Sequence, residues 1–325
     1  MNNIGNILDK RILLLDGAMG TMIQSYAPDE TTFRGARFAN HDINLLGCYD
    51  VLNITARDIV KDIHSAYLDA GADIITTNTF NANAISLARY NLQEYTTEIN
   101  LSAASLARDI ADNYTALNPD KPRFVAGSVG PIFIGSTQSV STDEDYAQLK
   151  DAYTQQITAL IIGGVDVLLI ETICEPYIAH IAIHAAEKVM KQTHCTIPIM
   201  LSVTTTPSGT MVSGETLANF IKSISHANIL SVGINCSYGA MEILPHLRTL
   251  AQIAPHYISV HPNAGIPDKT GAYPHTTEEM FHIMQTFIQE GVVNIIGGCC
   301  GTTPQLTALL SHAVEGATPH LSPNQ

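Results

Sequence analysis

Two cysteines stand side by side near the end of the chain, Cys299 and Cys300 in NIIGGCCGTTP, with Gly297, Gly298 and Gly301 around them. A third, Cys236, closes the run LSVGINC. Three thiolates suit zinc, a borderline-soft ion that takes tetrahedral sulfur ligation at ~2.3 Å. A structural zinc site closes with four protein ligands, whereas three leave a position for water or substrate, the pattern of a catalytic ion. The remaining cysteines are poorly placed for a fourth. Cys48 lies in a polar segment and Cys195 precedes a strand, so only Cys174, just after Glu171, is a rival. Two competing readings stand beside this one. Free cysteine packs as a small hydrophobe, and a disulfide between the adjacent thiols would be a strained ring that leaves Cys236 unused. A non-enzymatic zinc-storage protein is a third possibility, and it requires a fourth protein ligand.

Two acidic residues, Asp16 and Glu171, end apolar runs. Such carboxylates either cap turns or face a cationic group. Backbone amides around Gly17, in DGAMG, could hold an anion such as a substrate carboxylate. The pair His180 and His184 in HIAIH has the i, i+4 spacing of a zinc-protease helix but lacks the glutamate after the first histidine. It reads as helix surface or core.

The elements that must position these groups recur as short apolar runs with helical patterns between them. The runs are RILLLDG, ADIITTNTF, RFVAGSVGP, VDVLLIET, IPIMLSVT, LSVGINCS, YISVHPN and VNIIGGCC. Each is nearly continuous in apolar residues rather than alternating, as expected of parallel strands covered by helices. Among the helical patterns, TARDIVKDIHSAYLDAG opens with a capping-box-like Thr55-x-x-Asp58 and stops at Gly71. Another begins at Pro176, suited to a first turn. AGADII, GGVDVL and EGVVNII each lead a helix through a glycine into the next strand. Eight such units predict a single-domain (β/α)8 barrel, whose active site lies at the C-terminal ends of the strands. The small and polar residues fall there: Asp16-Gly17, Asn78, Gly127-Ser128, Glu171-Thr172, Asn235-Cys236, Asn263 and Cys299-Cys300. A doubly wound open sheet is the weaker alternative, because DGAMGT lacks the G-x-G-x-x-G spacing. An irregular insertion or cap is expected at about residues 26–52.

The chain has 325 residues, 46% hydrophobic and 14% charged, with a formal charge of −14. So acidic a chain lacks the electrostatic footprint for nucleic acid or an anionic membrane. No apolar run approaches a membrane-spanning length, and MNNIGNILDK does not look like a signal peptide. Six cysteines in a chain of this length are no disulfide framework. A cytoplasmic protein is expected.

These motifs resemble the zinc-dependent homocysteine S-methyltransferases, and within them the N-terminal homocysteine-binding module of cobalamin-dependent methionine synthases. The segments LLLDGAMGTMIQSY, FRGARFA, AGADIITTNTFNAN, LLIETI, SGETLANF, GINCSYG, HPNAG and GGCCGTTP carry the resemblance, in that order, over nearly the whole chain. It implies a (β/α)8 barrel with zinc on Cys236, Cys299 and Cys300, homocysteine as substrate, and its ammonium near Glu171 and Asp16. It also implies that Asn263 can approach the zinc when substrate is absent. Methylcobalamin would be the methyl donor, bound with folate by other modules of a longer chain. Those modules are not in this sequence, so it reads either as a fragment or as a free-standing enzyme using S-methylmethionine or betaine.

Overall fold

The computed structural model describes residues 4–133 and 142–321. Its eight strands are β1 Leu13–Leu14, β2 Ile74–Thr76, β3 Phe124–Val129, β4 Val167–Ile173, β5 Ile199–Val203, β6 Ile229–Gly239, β7 Tyr257–Asn263 and β8 Ile295–Ile296. They form one sheet in the order β1-β8-β7-β6-β5-β4-β3-β2, with every pairing parallel. A parallel bridge between Leu15 and Ile74 joins β1 to β2 and closes the barrel. The expected (β/α)8 fold is therefore present, as a single domain, and an open sheet is excluded.

Because both faces of each strand are buried, alternate residues feed two separate apolar cores. Leu13, Leu15, Ile74, Phe124, Ala126, Val167, Leu169, Met200 and Ile295 fill the barrel, and Ile4 and Leu8 of the helix Ile4–Leu8 pack against them. The intervening residues, among them Leu14, Val125, Leu168, Leu201, Val232 and Val260, pack outward into the helical layer. Following the same period of two up the strands, the inward positions become Ser128, Glu171, Ser202, Asn235 and His261. The barrel is apolar in its lower half and polar at its C-terminal mouth.

Helix boundaries mostly follow the local chemistry. Pro176 begins the helix Pro176–Thr193, and Gly71 turns left-handed (φ +102°) to carry the helix Arg57–Asp69 into β2. Thr55 does not form the expected capping box. It ends a separate short helix, Leu52–Thr55, where its hydroxyl donates back to the Val51 carbonyl at 3.3 Å, and the following helix starts at Arg57 without a side-chain cap. The segment expected to be irregular holds a helix, Glu30–Arg34, and a 3-10 turn, Tyr49–Val51. The Glu30 carboxylate pins it by accepting from the amides of Leu45 and Leu46 at 2.9 and 2.7 Å. Among the described residues no helix is long and apolar enough to cross a membrane.

Candidate active site

The three cysteines of the sequence reading meet at one point. Their Sγ atoms lie 3.3 Å (Cys236–Cys299), 3.8 Å (Cys236–Cys300) and 4.0 Å (Cys299–Cys300) apart, and they form the one group among the described residues able to hold a metal ion. Cys236 reaches this point because the chain turns left-handed at the end of β6. Its φ is +57° and that of Ser237 is +47°, a conformation uncommon outside glycine. The Ser237 hydroxyl supports the turn by accepting from the Thr205 amide at 2.7 Å.

Beyond β8 the chain is laced between β1 and β7. The Gly298 amide donates to the Asp16 carbonyl at 3.1 Å, the Cys299 amide donates to the Pro262 carbonyl at 2.8 Å, and the Cys300 carbonyl accepts from the Ala264 amide at 2.9 Å. Gly297 and Gly298 serve this lacing by lacking side chains rather than by an unusual backbone turn. Neither is left-handed. A Cβ on Gly297 would sit 2.7 Å from the Asp16 carbonyl oxygen, and one on Gly298 would sit 2.2 Å from the Thr302 hydroxyl, so both are glycine because neighbours crowd them. The left-handed residue is Gly301 (φ +82°), over which the Tyr273 ring closes.

No fourth cysteine joins the triad. The Cys174 thiol bonds to the Thr172 carbonyl at 3.4 Å, Cys48 is buried elsewhere, and Cys195 lies with Pro198 and Tyr257 at a separate groove. The helical pair His180 and His184 does not belong to a group able to hold a metal ion among the described residues; both rings lie against that of His226. Bonds from Cys236 and Cys299 hold Cys300 below an ordinary thiol, while the same mutual bonds, with burial, push Cys299 above one.

Facing the thiols across a cavity of about 270 Å³ stand Asp16 and Glu171. Asp16, 2% exposed, accepts from the Thr76 amide at 2.7 Å and the Thr76 hydroxyl at 3.0 Å. Glu171 accepts from the Ser128 hydroxyl at 2.5 Å and, more weakly, from the Asn235 amide at 3.5 Å. Burial raises both, Asp16 to about 8 and Glu171 to about 7, and each is further raised by a charged neighbour, Glu171 for Asp16 and Cys300 for Glu171. Among the described residues no lysine or arginine lines the cavity. A buried and a half-buried acid without a cation beside them are suited to receive one from a ligand.

Gly17 also lines the cavity, and a Cβ there would meet the Tyr67 hydroxyl at 2.7 Å. Asn78, Ser128 and Thr172 from the expected rim are among the lining residues. Gly127 is not; its missing side chain faces Leu160 and Val165 in the helical layer. Asn263 ends β7 but lies outside the lining, buried, with its Oδ1 unpartnered. Asn235, from the expected rim, lies outside the lining; its Oδ1 accepts from the Thr172 amide and its Nδ2 donates to the Thr172 hydroxyl, both at 2.9 Å. Sequence reasoning missed His261, Thr76, and the pair Tyr49 and Asp50 from the 26–52 segment, all lining the cavity. The signal available was a polar residue at an inward position of an apolar strand, as in GINC and YISVHPN.

Fold and cavity together define a barrel enzyme of the (β/α)8 class, with its site at the C-terminal mouth. The sequence narrows this further. Residues 13–314 match the homocysteine S-methyltransferase family, to which the chain belongs, and it is a methyltransferase. The fold is similar to that of the homocysteine methyltransferase MmuM from Escherichia coli. Its metallated form gives a TM-score of 0.73 at 22% identity, covering 94% of this chain and 98% of that one. Its apo form gives 0.68 at 20% identity, covering 95% and 98%.

Proposed function

We propose that the protein transfers a methyl group to the sulfur of homocysteine, forming methionine, with zinc held by Cys236, Cys299 and Cys300. The observation that carries this is the sulfur triangle. Three sulfurs on a tetrahedral ion at ~2.3 Å would stand ~3.8 Å apart, and the separations here are 3.3, 3.8 and 4.0 Å. Three thiolates with no fourth protein ligand fit a zinc site that keeps one position for substrate. When bound, zinc supplies a Lewis acid that keeps a substrate thiol ionised near neutral pH. Asp16 and Glu171 bind and orient the substrate ammonium, and the amides near Gly17 receive its carboxylate. Asn263 stands by with its free Oδ1 for the substrate-free state. Held at these points, the sulfur presents a lone pair to the mouth of the barrel. There the bond to the methyl carbon forms as the donor's bond to it breaks.

The motif resemblance supports methylcobalamin as donor, with this barrel serving as the homocysteine module of a cobalamin-dependent methionine synthase in the cytoplasm. One observation favours a second reading, a free-standing enzyme using S-methylmethionine or betaine. The barrel aligns over 98% of the Escherichia coli homocysteine methyltransferase. Zinc-loaded protein, homocysteine and each donor in turn, assayed for methionine, decides between them. Methionine formed from methylcobalamin alone is expected. Turnover with S-methylmethionine alone would establish the second reading, and methionine from none of the donors would sink both.

A further inference from the structure

At the site β4 breaks its own alternation. Leu169 packs inside the barrel and Ile170 in the helical layer, so a regular strand would aim Glu171 inward and Thr172 outward. Instead both line the cavity. Between Ile170 and Ile173 β4 advances three residues while β5 advances two, from Leu201 to Val203, which puts a bulge at Glu171-Thr172. The chain absorbs it by turning left-handed at Thr172, with φ +59°. For a β-branched residue this is a strained conformation that persists only when its surroundings impose it. Asn235 imposes it, accepting from the Thr172 amide and donating to the Thr172 hydroxyl, both at 2.9 Å. Glycine would take this φ without strain. A strained side chain on a cavity wall points to a use for that side chain. The Thr172 hydroxyl also has a proton to give: it accepts from Asn235 and donates to no described residue. The hydroxyls that serve the two acids are engaged, Thr76 with Asp16 and Ser128 with Glu171.

We propose that Thr172 contacts the substrate, its hydroxyl donating to the carboxylate of the bound amino acid, and so selects amino acids over simple aminothiols. This deepens the homocysteine reading and rests on it. An ammonium held by Glu171 has no lone pair with which to accept the Thr172 proton. The carboxylate, attached to the same carbon as that ammonium, has acceptor sites to spare. It enters a cavity lined by Asp16, Asp50 and Glu171 and by no lysine or arginine. Uncharged donors must therefore meet it there. Amides near Gly17 take one oxygen, and the Thr172 hydroxyl takes the other. The bulge makes the pairing possible, because it turns two consecutive residues toward two neighbouring groups of one ligand.

Calorimetry of the zinc-loaded protein measures Kd for homocysteine and for 3-mercaptopropylamine, which is homocysteine without its carboxylate. Thr172→Val keeps the branched shape and removes the hydroxyl. It should weaken homocysteine about 10–100-fold, the loss of one hydrogen bond to a charged group, and leave 3-mercaptopropylamine within about twofold. Thr172→Ser keeps the donor and should bind homocysteine within about threefold of wild type. Thr172→Gly removes the hydroxyl together with the strain, and it should show the same split between the two ligands even where the valine chain does not fold. Equal weakening of both ligands would make Thr172 a support of the bulge alone and overturn the proposal. Full homocysteine affinity in the valine or glycine variant would overturn it as well. Failure of the wild-type protein to bind homocysteine is a different result: it would sink the homocysteine reading itself, and this contact with it.

Discussion

The two walls of the cavity are built on opposite plans. The thiol wall, from β6 to β8, is set by backbone. Left-handed residues, crowded glycines and main-chain bonds put three sulfurs within 4.0 Å of one another, and those sulfurs bond chiefly to each other. The carboxylate wall, from β1 to β4, is set by side chains. The Thr76 hydroxyl, the Ser128 hydroxyl and the Asn235 amide each donate to an acid that burial has made reluctant to ionise, with one main-chain bond, from the Thr76 amide, beside them. On the proposed reading the first wall receives a metal cation that relieves its sulfurs, and the second receives the cation that arrives with the substrate. Changes on the two walls should therefore separate metal binding from substrate binding.

The sharpest break is Cys236→Ala. A structural zinc contributes roughly 10–16 kcal/mol over all its ligands. Losing one sulfur should weaken zinc on the order of 10³-fold and abolish methyl transfer, as read by metal analysis and a methionine assay. Full zinc content with full transfer would remove the sulfur wall from the chemistry. On the opposite wall, Glu171→Gln should keep zinc at wild-type stoichiometry and raise KM for homocysteine. One charge-assisted hydrogen bond is worth about 1.5–3 kcal/mol, hence roughly 10–100-fold. Loss of metal with KM unchanged would reverse the assignment of the walls.

How much of this contrast was legible in the sequence follows the same division. Continuous apolar runs showed all eight strands, because burial on both faces leaves no other composition. Cys236, Cys299 and Cys300 were legible because a thiol pair at a strand end has few uses. The means of convergence was not. The left-handed φ at Cys236 is a consequence of packing, and crowding at Gly297 depends on β1 lying beside it, which no local pattern encodes. Asp16 and Glu171 could be read as rim acids. Their donors Thr76 and Asn235 could not be assigned, since neighbours in a barrel are set by the closure of the sheet rather than by distance along the chain. Tyr49 and Asp50 escaped because irregular segments carry no periodicity.

Protonation gives a gentler probe of the acidic wall. Asp16 and Glu171 must be ionised to hold an ammonium, and burial raises them to about 8 and about 7. KM for homocysteine should therefore rise as pH falls from 8.5 through 7. Stability moves the other way. The folded chain keeps protons that the unfolded chain, with ordinary carboxyls near 4, has released. The stabilisation from these two groups is complete below the unfolded value and is lost as pH rises through the folded ones. In the substrate-free protein, Asp16→Asn removes one of the two, so its Tm should decline less than wild type between pH 6 and 8.5. Parallel Tm profiles would show that Asp16 is ionised throughout.

The smallest expected effect tests whether the walls communicate. Asn235 sits one residue before Cys236, yet its side chain serves β4. It accepts from the Thr172 amide and donates to the Thr172 hydroxyl at 2.9 Å, holding a left-handed residue (φ +59°) beside Glu171. Asn235→Ala removes neutral hydrogen bonds worth about 1 kcal/mol each, so KM for homocysteine should rise about 3–10-fold. Zinc affinity should stay within twofold of wild type, roughly the effect of 0.4 kcal/mol, because the Cys236 turn is supported by Ser237 and Thr205 rather than by this amide. If zinc affinity fell along with KM, the link at Asn235 would be carrying strain from one wall into the other. The separation between a backbone-built metal site and a side-chain-built substrate site would then fail at the one residue the two strands share.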